Sequence, residues 1–126
     1  MKLMDQFNKK QYLNLETFRR NGEGVRTPVW FARDEGTLYV LTMADSGKVK
    51  RIRRDGRVNV APCRVDGKVT GTWVKARARE IADPAVGEKV NRLFNKKYGL
   101  LKKLFERQRS GRGSQDTFVE IELDGS

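Results

Sequence analysis

Residues 25–63, VRTPVWFARDEGTLYVLTMADSGKVKRIRRDGRVNVAPC, decide how this chain folds. Two apolar runs, 25–33 and 37–42, are rich in the β-branched and aromatic residues that favour strands. Asp34-Glu35-Gly36 between them is a turn signal. The loop 44–47 follows, and then a segment that is almost all cation: six of the ten residues from Lys48 to Arg57 are Lys or Arg. Val49 and Ile52 interrupt the charges at helical spacing. Residues 48–55 therefore read as one or two helical turns, closed by Gly56 at a C-cap position. A further strand begins at once, at Arg57. A cation cluster held between two strands is well placed to grip a phosphate.

Outward from this stretch the pattern stays mostly β. A short helix is expected over 5–10. Residues 12–20 alternate Tyr12, Asn14 and Glu16 against Leu13, Leu15 and Thr17, as a half-buried strand does. Asn21-Gly22 then turns the chain into the 25–33 strand as a hairpin. Downstream, 57–65 and 71–81 read as strands joined through Asp66-Gly67, with Val74, Ala76 and Ala78 on one face of the second. Asp83-Pro84 opens a helix, since Asp83 can cap it and Pro84 fits its first turn. Val86, Val90, Leu93 and Phe94 share a face of that helix. A second helix is expected from Leu101 to about Gln108, then a loop over 110–115 and a last strand over 117–123. The expected architecture is one domain over residues 1–126: mainly β with peripheral helices, an antiparallel barrel of six to seven strands.

Composition narrows the function. The chain has 126 residues, a net charge of +11, one cysteine and no histidine. Its length suits one domain that buries about two thirds of the surface its unfolded chain would expose. Without histidine there can be no Ser-His-Asp triad, no Cys-His dyad and no histidine-based metal site. One cysteine cannot build a disulfide framework or a cysteine-rich zinc site. No run is long and apolar enough to span a membrane, and the first residues are too polar for a secretory signal, so a cytoplasmic protein is expected. An enzyme of this composition takes its chemistry from a bound organic cofactor.

Four sets of residues are candidates for that role. Lys48, Arg51 and Arg54 lie near one helical face, and with the Ser46 hydroxyl and nearby backbone N–H groups they would make a phosphate site. The alternative is a solvated basic face. The Ser46-Gly47-Lys48 run is not a P-loop, because Thr42 stands where glycine is required and Val49 follows the lysine. Pro28, within the strand Thr27-Pro28-Val29-Trp30, removes a ladder donor and so belongs at an edge, a bulge or a ligand-facing gap; Val29 and Trp30 fit either a pocket wall or the core. Cys63 reads as a small buried residue, with no imidazole to activate it. The cations of the C-terminal helices, Lys96 and Lys97 among them, form either a solvated face or a funnel for an anionic ligand tail.

The strand RTPVWF, the strand LYVLT, the segment SGKVKRIRRDGRV, then NVAPC and ARAREI together resemble the pyridoxamine 5'-phosphate oxidase-like split β-barrel proteins. More narrowly, they resemble the group described as F420-dependent oxidoreductases. The similarity runs from about residue 12 to 81. It implies a homodimer with flavin or deazaflavin in clefts between the subunits. Carried onto this chain, Thr27, Pro28, Val29 and Trp30 would border the ring system. Thr42, Ser46, Gly47, Lys48 and Arg51 would hold the phosphate, and Asn59 would lie on the adjacent strand with Ala61 to Cys63. Pyridoxamine phosphate oxidase itself is not implied, since the chain is shorter and lacks the C-terminal substrate-binding segment. The expected function is hydride transfer from coenzyme F420 to a small organic acceptor. FMN in the same cleft is the near alternative, and a carrier without turnover is another. A nucleic-acid-binding barrel is the rival of a different class, disfavoured because no aromatics are interleaved with the cations as a stacking surface requires.

Overall fold

The computed structural model describes residues 3–103 and 115–124. Six strands form a closed antiparallel barrel: β1 (Tyr12–Phe18), β2 (Gly24–Asp34), β3 (Thr37–Met43), β4 (Arg57–Cys63), β5 (Val74–Glu80) and β6 (Asp116–Leu123), in the order β1-β2-β3-β6-β5-β4, with β4 returning to β1. Helix α1 (Gly47–Arg54) links β3 to β4, and α2 (Pro84–Tyr98) links β5 towards β6. This is the expected mainly β architecture with peripheral helices.

Period-two patterning builds the barrel. Leu13 and Leu15 on β1, Phe31 on β2, Leu38 and Val40 on β3, and Val119 and Ile121 on β6 point inward and are almost wholly buried. Val49 and Ile52 seat α1 on this core, and Met4 and Phe7 add to it from a 3-10 turn, Leu3–Phe7. Phe7 meets Phe31 edge-on at 5.8 Å. The expected helix over 5–10 is thus shorter and earlier, ended by Lys9 in the left-handed region at φ 63°. A second core lies outside the barrel, where Val90, Phe94 and Tyr98 of α2 cover Ala32, Tyr39 and Leu41.

Strand β5 starts at Val74 rather than at residue 71. The preceding segment is drawn onto the N-terminal turn instead: the Gln6 amide donates to the Thr72 carbonyl at 2.9 Å and accepts from its N–H at 2.8 Å. Residues 64–68 turn back on themselves, and Cys63 bridges Val69. Asp83 caps α2 by accepting from the Ala85 N–H, and Pro84 occupies its first turn, as expected. Residues 100–103 continue as helix. The rest of the expected second helix and most of the 110–115 loop lie outside the described residues.

Candidate functional site

The barrel has a seam. Strands β2 and β3 pair from Asp34↔Thr37 to Phe31↔Val40, and there the ladder stops. Beyond it β2 pairs only with β1, through Trp30↔Tyr12 to Gly24↔Phe18, while β3 pairs only with β6, through Leu41↔Phe118 to Met43↔Asp116. The two strands therefore diverge over Trp30, Val29, Pro28 and Thr27 on one side and Leu41, Thr42 and Met43 on the other. A cleft of about 360 Å³ fills the divergence, closed at its ends by Tyr12 and Lys48.

Proline explains which edge opens. The backbone groups of Phe31 point away from β3: its N–H donates to the Tyr98 hydroxyl at 3.0 Å, and its carbonyl receives Lys97 Nζ at 2.7 Å. Backbone polar groups alternate along a regular strand. Those of Pro28 consequently face the seam, where the missing N–H removes a donor that β3 would otherwise have used.

Helix α2 fixes the wall of the cleft. The Tyr98 hydroxyl lies 2.7 Å from the Gln11 carbonyl and 2.9 Å from the Phe31 carbonyl, in the gap where the β1–β2 ladder would have continued. Its ring stacks on Trp30 at 4.4 Å and 10°, so the indole is backed by a rigid plate as it faces the cleft. Burial pushes the Tyr98 phenol far up, with the hydrogen bond at Phe31 opposing, so the hydroxyl stays neutral.

The cationic end of the cleft is built by α1. Ser46 caps the helix, its hydroxyl accepting from the Val49 N–H at 3.4 Å. Lys48 reaches back along the cleft to Thr42 Oγ1 at 3.5 Å. Burial, with Arg51 adding to it, lowers the Lys48 pKa. Arg51 donates to Thr17 Oγ1 at 2.7 Å. Its pKa is lowered by burial first, then by Arg19 and Arg54. Gly47 leaves room for the Arg51 guanidinium where it lies: a Cβ there would sit 2.9 Å from one of its nitrogens, and the flexible side chain would have to shift. Among the described residues, neither Lys48 nor Arg51 forms an ion pair with a carboxylate. Two partly desolvated cations beside a concave apolar cleft have the chemistry to receive an anion attached to a flat apolar group.

Of the ten residues singled out in the sequence, Thr27, Pro28, Val29, Trp30, Thr42 and Lys48 line one cleft. Ser46 and Gly47 form the helix start beside it, and the Arg51 guanidinium reaches back to Gly47 from the last turn. Asn59 lies elsewhere, on the outer face of β4, where its amide donates to Glu16 Oε1 at 2.8 Å. Tyr12, Leu41 and Met43 also line the cleft. Tyr12 could have been found from register, as the partner of Trp30 across the hairpin; Leu41 and Met43 read only as strand residues until the seam is known.

A barrel split along one seam, with a basic helix N-terminus at its end, defines a class of cofactor-binding split barrels. The family model for pyridoxamine 5'-phosphate oxidase matches residues 2–124, and the chain belongs to that family. No curated protein sequence matches it. Among solved structures, the chain is similar to a FAD-binding protein from Mesorhizobium loti (16% identity, 96% of this chain and 84% of that one, TM-score 0.66). It is likewise similar to a heme storage protein from Vibrio cholerae (11% identity, 100% and 93%, TM-score 0.66). An F420 reductase is similar too (14% identity, 99% and 95%, TM-score 0.59). At these identities the likeness establishes the fold. None of the described helices is long and apolar enough to cross a membrane.

Proposed function

We propose that the protein is a flavin- or deazaflavin-dependent oxidoreductase that uses coenzyme F420 to reduce a small organic acceptor. The observation that carries the reading is the seam: an apolar slot between Val29-Trp30 and Leu41-Thr42, lined also by a half-buried lysine that has no carboxylate partner among the described residues. Its volume of about 360 Å³ falls within the range of small-molecule sites. Bound there, a deazaflavin exchanges hydride and needs little acid–base chemistry from the protein, in keeping with the absence of histidine.

The residues divide the work. Lys48, in the first turn of α1, and Arg51, whose guanidinium reaches back to Gly47, hold the phosphoryl group. Thr27, Pro28, Val29 and Trp30 border the ring, and Tyr98 keeps Trp30 in plane behind it. Leu41 and Met43 exclude water from the opposite side. The chain acts as a homodimer in which the partner subunit closes the open side of the slot.

FMN is the second reading, favoured by the same phosphate contacts. A side-by-side titration of both cofactors tests the proposal. F420 should bind more tightly, with its fluorescence quenched, and Lys48→Ala with Arg51→Ala should abolish that binding. Tighter FMN binding, in a yellow preparation, would replace the F420 reading. No response to either cofactor would remove both.

A further inference from the structure

A second concavity, of about 540 Å³, lies around the β1–β2 turn and the outer faces of β4 and β5. It shares no lining residue with the seam cleft. Four parts of the chain supply its six cations: Arg19 and Arg20 after β1, Arg54 at the end of α1, Arg57 on β4, and Lys75 and Arg77 on β5. Among the described residues, Asp55 and Asp124 alone contribute carboxylates to its lining.

Arg57 and Arg77 stand directly opposite each other across the β4–β5 ladder, a placement in which like charges repel, and Arg77 stands opposite Glu122 across the β5–β6 ladder. Arg57 is answered by Asp55, at 3.1 and 3.0 Å from its guanidinium. Arg19 has a distant pair with Glu23 at 3.9 Å, and Arg54 donates only to the Phe18 carbonyl. Among the described residues, Arg20, Arg54, Lys75 and Arg77 form no ion pair. Elsewhere the same sheet does pair its cations: Arg79, two residues along β5 from Arg77, meets Glu120 at 3.3 Å. Among the described residues, four cations that form no ion pair gather in this one concavity.

We infer that the groove is a binding site for a linear oligophosphate group, separate from the cofactor slot. Five of the six cations are arginines, whose planar forks match phosphate oxygens two at a time. Residues directly opposite on an antiparallel ladder have Cα atoms about 5 Å apart, so one phosphate can be shared between Arg57 and Arg77. Arg54, Arg19 and Arg20 then meet the next groups in line. The site stands whether or not the slot takes a deazaflavin.

Calorimetric titration of the full chain with inorganic tripolyphosphate tests it. The expected result is one saturable site, weakened at least tenfold by Arg54→Gln with Arg77→Gln, and weakened further as salt is raised. Lys48→Ala should leave this affinity unchanged, and so should Lys96→Gln on the exposed face of α2. Thermal unfolding of each variant reports that the barrel is intact; if the double variant unfolds, Arg77→Gln alone should still weaken binding several-fold. Loss of binding in Lys48→Ala but not in the groove variants would assign the anion to the cofactor slot and overturn the proposal. An equal loss in Lys96→Gln would reduce it to net charge, and no saturable binding would end it.

Discussion

The two flanks of α1 carry the same kind of side chain in opposite situations. On one, Arg53 places its guanidinium on Glu80 at 2.8 and 3.0 Å, and Glu80 is bound in turn by the Thr117 hydroxyl at 2.7 Å. On the other, Lys48 and Arg51 meet only hydroxyls, and both are lowered in pKa by burial. Between the flanks Val49 and Ile52 anchor the helix on the core. A cation answered by a carboxylate serves the fold; one desolvated without such an answer weakens it slightly, and on the function proposed above Lys48 and Arg51 are kept for a ligand. The helix thus separates its paired and unpaired charges by position alone.

The largest effect that should break this contrast comes from the unanswered flank. Removing Lys48 and Arg51 together deletes two charge-assisted contacts of about 1.5–3 kcal/mol each. Cofactor affinity should fall at least about a hundredfold, with thermal stability unchanged or raised. A fall in stability without a change in affinity would reverse the assignment. Tyr98→Phe comes next. It leaves Phe31 N–H and the Gln11 carbonyl without their shared partner, and denaturant unfolding should show a loss of about 1–3 kcal/mol. Cofactor affinity should drop only through the loosened Trp30.

Lys97 sharpens the comparison, because among the described residues it too pairs with no carboxylate. Its ammonium sits 2.7 Å from the Phe31 carbonyl and 3.7 Å from the Phe31 ring centroid, and burial lowers its pKa to about 8 although the residue as a whole is exposed. In the unfolded chain that pKa is about 10.4. Between the two values the unfolded state binds the extra proton, so stability should rise with pH from about 8 to about 10.4. Below pH 8 the cost of the desolvated charge is present in full. Urea unfolding at stepped pH should show this slope, and Lys97→Met should flatten it. The smallest effect is expected from Arg53→Ala. Its pair with Glu80 is half exposed, so the loss of stability in urea unfolding should be slight and cofactor binding should not change.

Much of this could be read before any coordinates. The strands, the capped α2 and the basic α1 follow from local rules: alternation, a proline in a first helical turn, and apolar residues at helical spacing. Pro28 announced a gap in the sheet because the missing donor is a property of the residue itself. What the chain could not announce was which strand the gap faced. That depends on where the β2–β3 pairing ends, and the wall beside it depends on Tyr98, whose hydroxyl bridges backbone groups from residues 11 and 31 across 67 or more positions. Asn59 shows the same limit. Its strand neighbours the β1–β2 hairpin, but the register turns it outward towards Glu16. The anion groove was equally hidden, because Arg20, Arg54 and Arg77 are far apart in sequence and only the barrel's closure gathers them.

The stacking of Trp30 on Tyr98 has a practical corollary. The chain holds two indoles, and the other, Trp73, lies under the Arg26 guanidinium at 4.7 Å. With Trp73 replaced by Phe, all remaining indole emission originates at the mouth of the slot. The protein would then carry an intrinsic optical gauge of occupancy, readable by quenching or energy transfer with no dye attached.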